Sequence, residues 1–287
     1  GHVCSAPSGA SKRQPAPGPR PPTRLGTMRP VIITANWKMN TTPADAGPLA
    51  ADIAKATDVA NVTRIICPPY TNISAVSAAV EGTGTLVGAQ NVHAEAKGAY
   101  TGEISADMLK GLVSWCIVGH SERRRDQFES DELVGQKVVR LVEAGISPMM
   151  CCGEQLEERE AGKAVATVQA QVKAALETVQ AAGNGLPSDL VIAYEPVWAI
   201  GTGKTATGAD AAEMANAIRA TIADLAGAEY AESVPVLYGG SVTAESFAEF
   251  IAEPSIDGAL IGGAGLKPDQ MTGIAAIAAE AAAARAS

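Results

Sequence analysis

Short runs of β-branched and aliphatic residues recur along the chain, at Val31–Ala35, Thr63–Cys67, Thr85–Ala89, Ser114–Val118, Ser147–Cys151, Leu190–Tyr194, Pro235–Tyr238 and Gly258–Ile261. They are apolar throughout instead of alternating with polar residues, as strands buried on both faces are. Longer stretches with helical spacing separate them. In Lys163–Ala182, Val165, Val168, Val172, Leu176 and Val179 step by three or four, and Gly183 follows at the C-terminal cap position. Thr42-Pro43-Ala44-Asp45 reads as a capping residue with Pro at the first helical position. Eight strand runs, each followed by a helical stretch, predict a parallel sheet covered by helices. Over the roughly 260 residues from Met28 onward, a closed eight-stranded parallel (β/α)8 barrel fits both count and length. A doubly wound open sheet is the alternative, because periodicity does not show whether a sheet closes. No composition shift after residue 28 marks a second domain, so 28–287 is read as one.

Composition narrows the function. Of 287 residues, 47% are hydrophobic and 18% charged, enough apolar material for a sizeable core. Aromatics make up 4%, so small aliphatic side chains must do most of the packing. Residues 1–27 hold six prolines, Lys12, Arg13, Arg20 and Arg24, with no acid and no apolar stretch of signal-peptide length; they read as a disordered leader, an upstream extension or an expression scar. The remainder carries 18 basic against 31 acidic side chains, about −13 in place of the formal −9 of the whole chain. That charge opposes a nucleic-acid or anionic-membrane role, and no apolar stretch approaches membrane-spanning length. The five cysteines, Cys4, Cys67, Cys116, Cys151 and Cys152, show no metal-ligand spacing, so reduced thiols and a cytoplasmic address are expected.

In such a barrel, function sits where strands end and loops lead into helices. Those positions carry Asn36-Trp37-Lys38, Gln90-Asn91, Gly119-His120-Ser121-Glu122, Cys152-Gly153-Glu154, Glu195-Pro196, Gly239-Gly240-Ser241 and Gly262-Gly263. The glycine pairs after the seventh and eighth strands would expose backbone amides at helix starts, where an anion such as phosphate is favoured; alone, each pair could equally be a tight turn. Glu195, followed by Pro196, stands where a carboxylate shielded from water can abstract a proton, with an ion-pair partner as the bland alternative. His120 sits at a helix start, which disfavours imidazolium and leaves a neutral ring able to donate to a carbonyl oxygen; a structural histidine is the alternative. Lys38, between Trp37 and Met39, must find an anion or reach solvent. The glycine-bearing segment from Pro196 to Ala206, with its apolar middle, reads as a lid that excludes water. Its Gly203-Lys204-Thr205 is not a P-loop, since Trp198 stands where the opening Gly belongs, and Gly201-x-Gly203-x-x-Ala206 begins too far after its strand for a dinucleotide turn.

Together, Asn36-Trp37-Lys38-Met39-Asn40, Gly88-Ala89-Gln90-Asn91, Tyr100-Thr101-Gly102-Glu103, Val118-Gly119-His120-Ser121-Glu122-Arg123-Arg124, the run Ala193 to Lys204, Tyr238-Gly239-Gly240-Ser241-Val242 and Ile261-Gly262-Gly263-Ala264 make the chain resemble the triosephosphate isomerases over nearly all of its length after Val31. The resemblance implies a TIM barrel that interconverts dihydroxyacetone phosphate and D-glyceraldehyde 3-phosphate, in glycolysis and gluconeogenesis, without metal or cofactor. In that family a glutamate base works beside a neutral histidine. Carried over, Glu195 takes the proton beside the carbonyl, His120 polarises and protonates the oxygens of the enediolate, and Lys38 with Asn36 holds substrate and opposes the developing charge. Glu122 supports this set from its edge. Amides of Gly201, Ser241 and Gly263, with Gly262 adjacent, grip the phosphate. The resemblance also implies a homodimer in which the loop 90–103, including Thr101 and Glu103, inserts into the neighbour and brings Thr101 near its site. Departures from the family pattern are Gly265 for a common Ser, Cys152 for a common aliphatic residue, and His93 in the interface loop. Two rivals remain: a barrel aldolase using Lys38 as Schiff-base nucleophile, and a barrel that only binds phosphate ligands or proteins.

Overall fold

Each strand run is flanked by backbone that helices must cover, and the chain resolves this by closing the sheet on itself. A computed structural model describes residues 28–183, 185–200 and 202–287. The expected leader, 1–27, and Gly201 of the expected phosphate grip lie outside the described residues. The strands are β1 (Val31–Asn36), β2 (Val62–Cys67), β3 (Leu86–Ala89), β4 (Trp115–Val118), β5 (Ser147–Cys152), β6 (Val191–Tyr194), β7 (Val236–Tyr238) and β8 (Gly258–Ile261). They pair in parallel in sequence order, and β8 returns to β1 to close the barrel. The open-sheet alternative is thereby excluded.

Closure depends on one glycine. At Gly258, paired with Ile32, the backbone runs at φ 143° and an added Cβ would lie 1.8 Å from the Ile32 carbonyl oxygen. No side chain fits where the last strand meets the first.

Because both faces of every strand are covered, the two-residue period of side chains is hidden in the sequence. In three dimensions it reappears as two cores. Ile32, Ile65, Trp115, Ile117, Met149, Cys151, Val191, Ala193, Leu237 and Leu260 fill the barrel interior. Ile33, Ile66, Val118, Met150, Ile192 and Val236 face the helices. The helical ring matches the expected caps: Thr42 and Asp45 form a reciprocal capping box at the start of the Pro43–Ala56 helix. The Ala164–Ala181 helix buries Val168, Val172, Leu176 and Val179, and Gly183 follows at φ 84°.

Two expectations need correction. Between β3 and β4 the crossover is mostly loop, with a helix of only four residues, Ala106–Leu109, because Gly98 and Gly102 take positive φ there and break helical continuity. After β7, the glycines do not begin a helix: the next one, Phe247–Ile251, starts several residues later. Only after β8 does a helical turn, Gly263–Leu266, begin directly at the glycines.

Candidate active site

The inward parity of the strands selects what lines the barrel mouth. Continuing by twos from interior residues, β1 delivers Asn36 after Ile32 and Thr34, β6 delivers Glu195 after Val191 and Ala193, β7 delivers Gly239 after Leu237, and β8 delivers Gly262 after Leu260. All four line one cavity of about 550 Å³, together with Lys38, His120, Ser241 and Gly263. Asn36, Lys38, His120, Glu195, Ser241, Gly262 and Gly263, spread over more than 220 residues, therefore meet in one place; Glu122 borders it through contacts to Lys38 and His120.

Lys38 reaches the mouth through an uncommon turn. Its backbone is left-handed, at φ 53°, held by its own N–H donating to Asn36 Oδ1 at 3.0 Å and by Gln90 Nε2 donating to its carbonyl at 2.8 Å. The ammonium then pairs with Glu122 Oε1 at 2.6 Å. Burial alone would push the Glu122 carboxyl up, but the hydrogen bond from Lys38, together with the electrostatic influence of His120, Lys38 and Arg125, outweighs it and holds it below the usual carboxylate range.

His120 caps the Ser121–Asp126 helix: its Nδ1 accepts the Glu122 backbone N–H at 3.2 Å. A nitrogen that accepts carries no proton, so this network assigns a neutral ring with its proton on Nε2. That nitrogen lies 3.0 Å from Glu195 Oε1. Glu195 itself is 1% exposed. Its carboxylate is held by Ser121, whose backbone N–H donates to Oε2 at 2.9 Å and whose hydroxyl donates to Oε1 at 2.8 Å. A buried carboxylate and a neutral N–H donor thus face one cavity, a combination suited to moving a proton between a carbon and a neighbouring oxygen.

The family model described as triosephosphate isomerase matches residues 31–278. Relatives bearing that name include those of Thermoanaerobacter pseudethanolicus, 47% identical over 240 residues (83% of this chain, 96% of the relative), and Carboxydothermus hydrogenoformans, 46% identical over 249 residues (86% and 98%). That of Symbiobacterium thermophilum is 46% identical over 258 residues (88% and 99%). The chain belongs to the triosephosphate isomerase family.

Within this triosephosphate isomerase fold, three features had no functional reading in the sequence. Ser121 was visible only as the residue after His120; its grip on Glu195 needs β4 and β6 brought together. Gln90 was visible as a strand-end residue, but its double contact, to the Lys38 and Cys67 carbonyls, was not. Third, Glu154, fully buried after β5, accepts from Tyr194 Oη at 3.0 Å, Trp198 Nε1 at 2.7 Å and Arg159 at 3.2 Å. Arg159 also stacks over the Trp198 ring, 4.5 Å from its centroid, and pairs with Asp210. These contacts anchor the start of the segment read as a lid. Trp198, Ala199 and Ala206 are buried, whereas 202–205 are exposed. Among the described residues no cluster of His, Cys, Asp or Glu could hold a metal ion. Nor is any helix among them long and apolar enough to cross a membrane.

Proposed function

We infer that this chain catalyses the interconversion of dihydroxyacetone phosphate and D-glyceraldehyde 3-phosphate, the glycolytic reaction of its family. The observation that carries this reading is the 3.0 Å approach of buried Glu195 to His120 Nε2 inside the cavity that also holds Lys38. Glu195 removes the proton from the carbon next to the carbonyl and returns it to the neighbouring carbon. His120 donates from Nε2 to the oxygens in turn, so the enediolate is never left without a proton donor. Lys38, steered by Asn36 and Glu122, opposes the charge that develops on the oxygens. Both proton transfers are supplied by side chains, so the chemistry calls for neither metal nor redox cofactor. Ser241, Gly262 and Gly263, together with Gly201, hold the phosphate through backbone amides, and the segment from Pro196 to Ala206 closes over it to keep the enediolate from losing phosphate to water. The test is a coupled assay with dihydroxyacetone phosphate in the presence of a chelator; turnover is expected, and its absence overturns the reading.

Two further assignments belong here. The enzyme works as a homodimer, with Thr101 and Glu103 in the contact loop; the exposure of Met39 (96%) and Phe128 (87%) and of Tyr100 on that loop supports a covered face. Light scattering is expected to return twice the chain mass. The compartment is the cytoplasm, in keeping with the buried free thiols of Cys67, Cys116, Cys151 and Cys152.

A further inference from the structure

Glu195 must be held still. Ser121 grips its carboxylate, and its backbone is tethered separately, by the continuation of β5 beside β6. Glu195 donates its backbone N–H to the Cys152 carbonyl at 2.8 Å. The next residue, Gly153, lies so close that a Cβ on it would fall 1.7 Å from the Glu195 carbonyl oxygen. Wherever Gly153 sits, the backbone of the base must follow.

Gly153 is in turn gripped by one side chain. Gln171, on the Ala164–Ala181 helix, accepts the Gly153 N–H on Oε1 at 2.8 Å and donates from Nε2 to the Gly153 carbonyl at 2.9 Å. A primary amide that takes both backbone groups of one residue fixes that peptide in plane as well as in distance, as a strand partner would. We propose that Gln171 is a positioning residue for the reaction, setting the Glu195 carboxylate against the substrate carbon through the backbone of Gly153. It touches neither the carboxylate nor the phosphate grip. This inference rests on the isomerase reading above. A misplacement of about 1 Å at a reacting group can cost about a hundredfold in rate, so the loss should appear in kcat and not in substrate affinity.

The experiment uses the full chain with Gln171→Met, which keeps the length but loses both hydrogen bonds, and Gln171→Glu. Turnover of dihydroxyacetone phosphate by the native chain is measured alongside: if the native chain is inactive the isomerase reading fails, whereas the positioning role is judged from variants relative to an active native enzyme. For Gln171→Met, kcat is expected to fall about 10- to 100-fold with KM within about twofold of native; an unchanged kcat, or a loss confined to KM, overturns the proposal. Gln171→Glu gives an independent readout even if the Met variant fails to fold: its carboxylate still accepts the Gly153 N–H but turns an acceptor toward the Gly153 carbonyl in place of a donor. Its kcat is expected to fall about tenfold or more with KM within about twofold of native; a native kcat overturns the proposal.

Discussion

At the scale of single residues, the base proposed at Glu195 is defined by what its neighbours can and cannot do. Ser121 offers Glu195 two donors, and His120 places a protonated nitrogen 3.0 Å away. A glutamine at 195 matches the shape of the glutamate, and its one oxygen can keep the Ser121 N–H while its NH2 donates to the Ser121 hydroxyl, but it cannot take a proton from carbon. Glu195→Gln is therefore expected to lower kcat by about a thousandfold or more, the upper part of the range for general-base loss, with KM little altered because the phosphate grip is untouched. Steady-state kinetics with dihydroxyacetone phosphate checks this; near-native kcat would remove Glu195 from its role. His120 is fixed just as locally. Its tautomer follows from one backbone N–H, that of Glu122, and Glu122 does a second task by holding the Lys38 ammonium in place.

At the scale of elements, legibility followed the range of the interactions involved. Strands, helix caps and the residues at strand ends were readable because apolar runs, Thr42-Pro43 and the His120 helix start are local signals. The strand–helix alternation does not distinguish the loop between β3 and β4 from the helical connections, because what sets it apart is the positive φ of Gly98 and Gly102. Parity within the strands was unreadable, since two apolar faces erase the alternation that would show which residues point to the mouth. Glu154 was unreadable for a different reason. Its donors come from β6, from the segment after it and from the Leu156–Glu160 helix, and no sequence spacing connects them. That convergence carries a prediction. Glu154→Leu leaves a fully buried tyrosine hydroxyl, an indole N–H and a guanidinium without their acceptor, a loss of about 3 kcal/mol or more. Glu154→Gln keeps an acceptor for Trp198 and Tyr194 and should cost clearly less. Urea unfolding of the two variants measures the difference, and equal stabilities would show that the carboxylate does not hold these donors.

At the scale of the whole molecule, the two ends of the barrel do different work. The mouth concentrates chemistry, whereas the opposite end joins the beginning and end of the described chain around one buried carboxylate. Asp257, just before β8 and fully buried, receives Arg29 Nε at 2.9 Å, Arg219 at 2.7 Å, Arg285 at 2.8 Å and the Val236 N–H at 2.9 Å. Arg29 precedes β1, Arg219 belongs to the Gly208–Ala226 helix and Arg285 to the Pro268–Ala286 helix, so one side chain ties both ends of the described chain to the β7 and β8 segments where the barrel closes. Burying a carboxylate is costly, and here its cost is offset only while the cations remain in place. Asp257→Asn keeps the volume but leaves Arg219, mostly buried, without a counter-charge, which by the usual penalty for breaking a buried pair costs about 3–5 kcal/mol. Because this cluster lies at the far end from Glu195 and His120, kcat and KM at 25 °C should match the native enzyme while the melting temperature falls. Measuring both on one preparation separates the ends: a variant that melts early and is also catalytically slow would show that the closure of the barrel base is felt at its mouth.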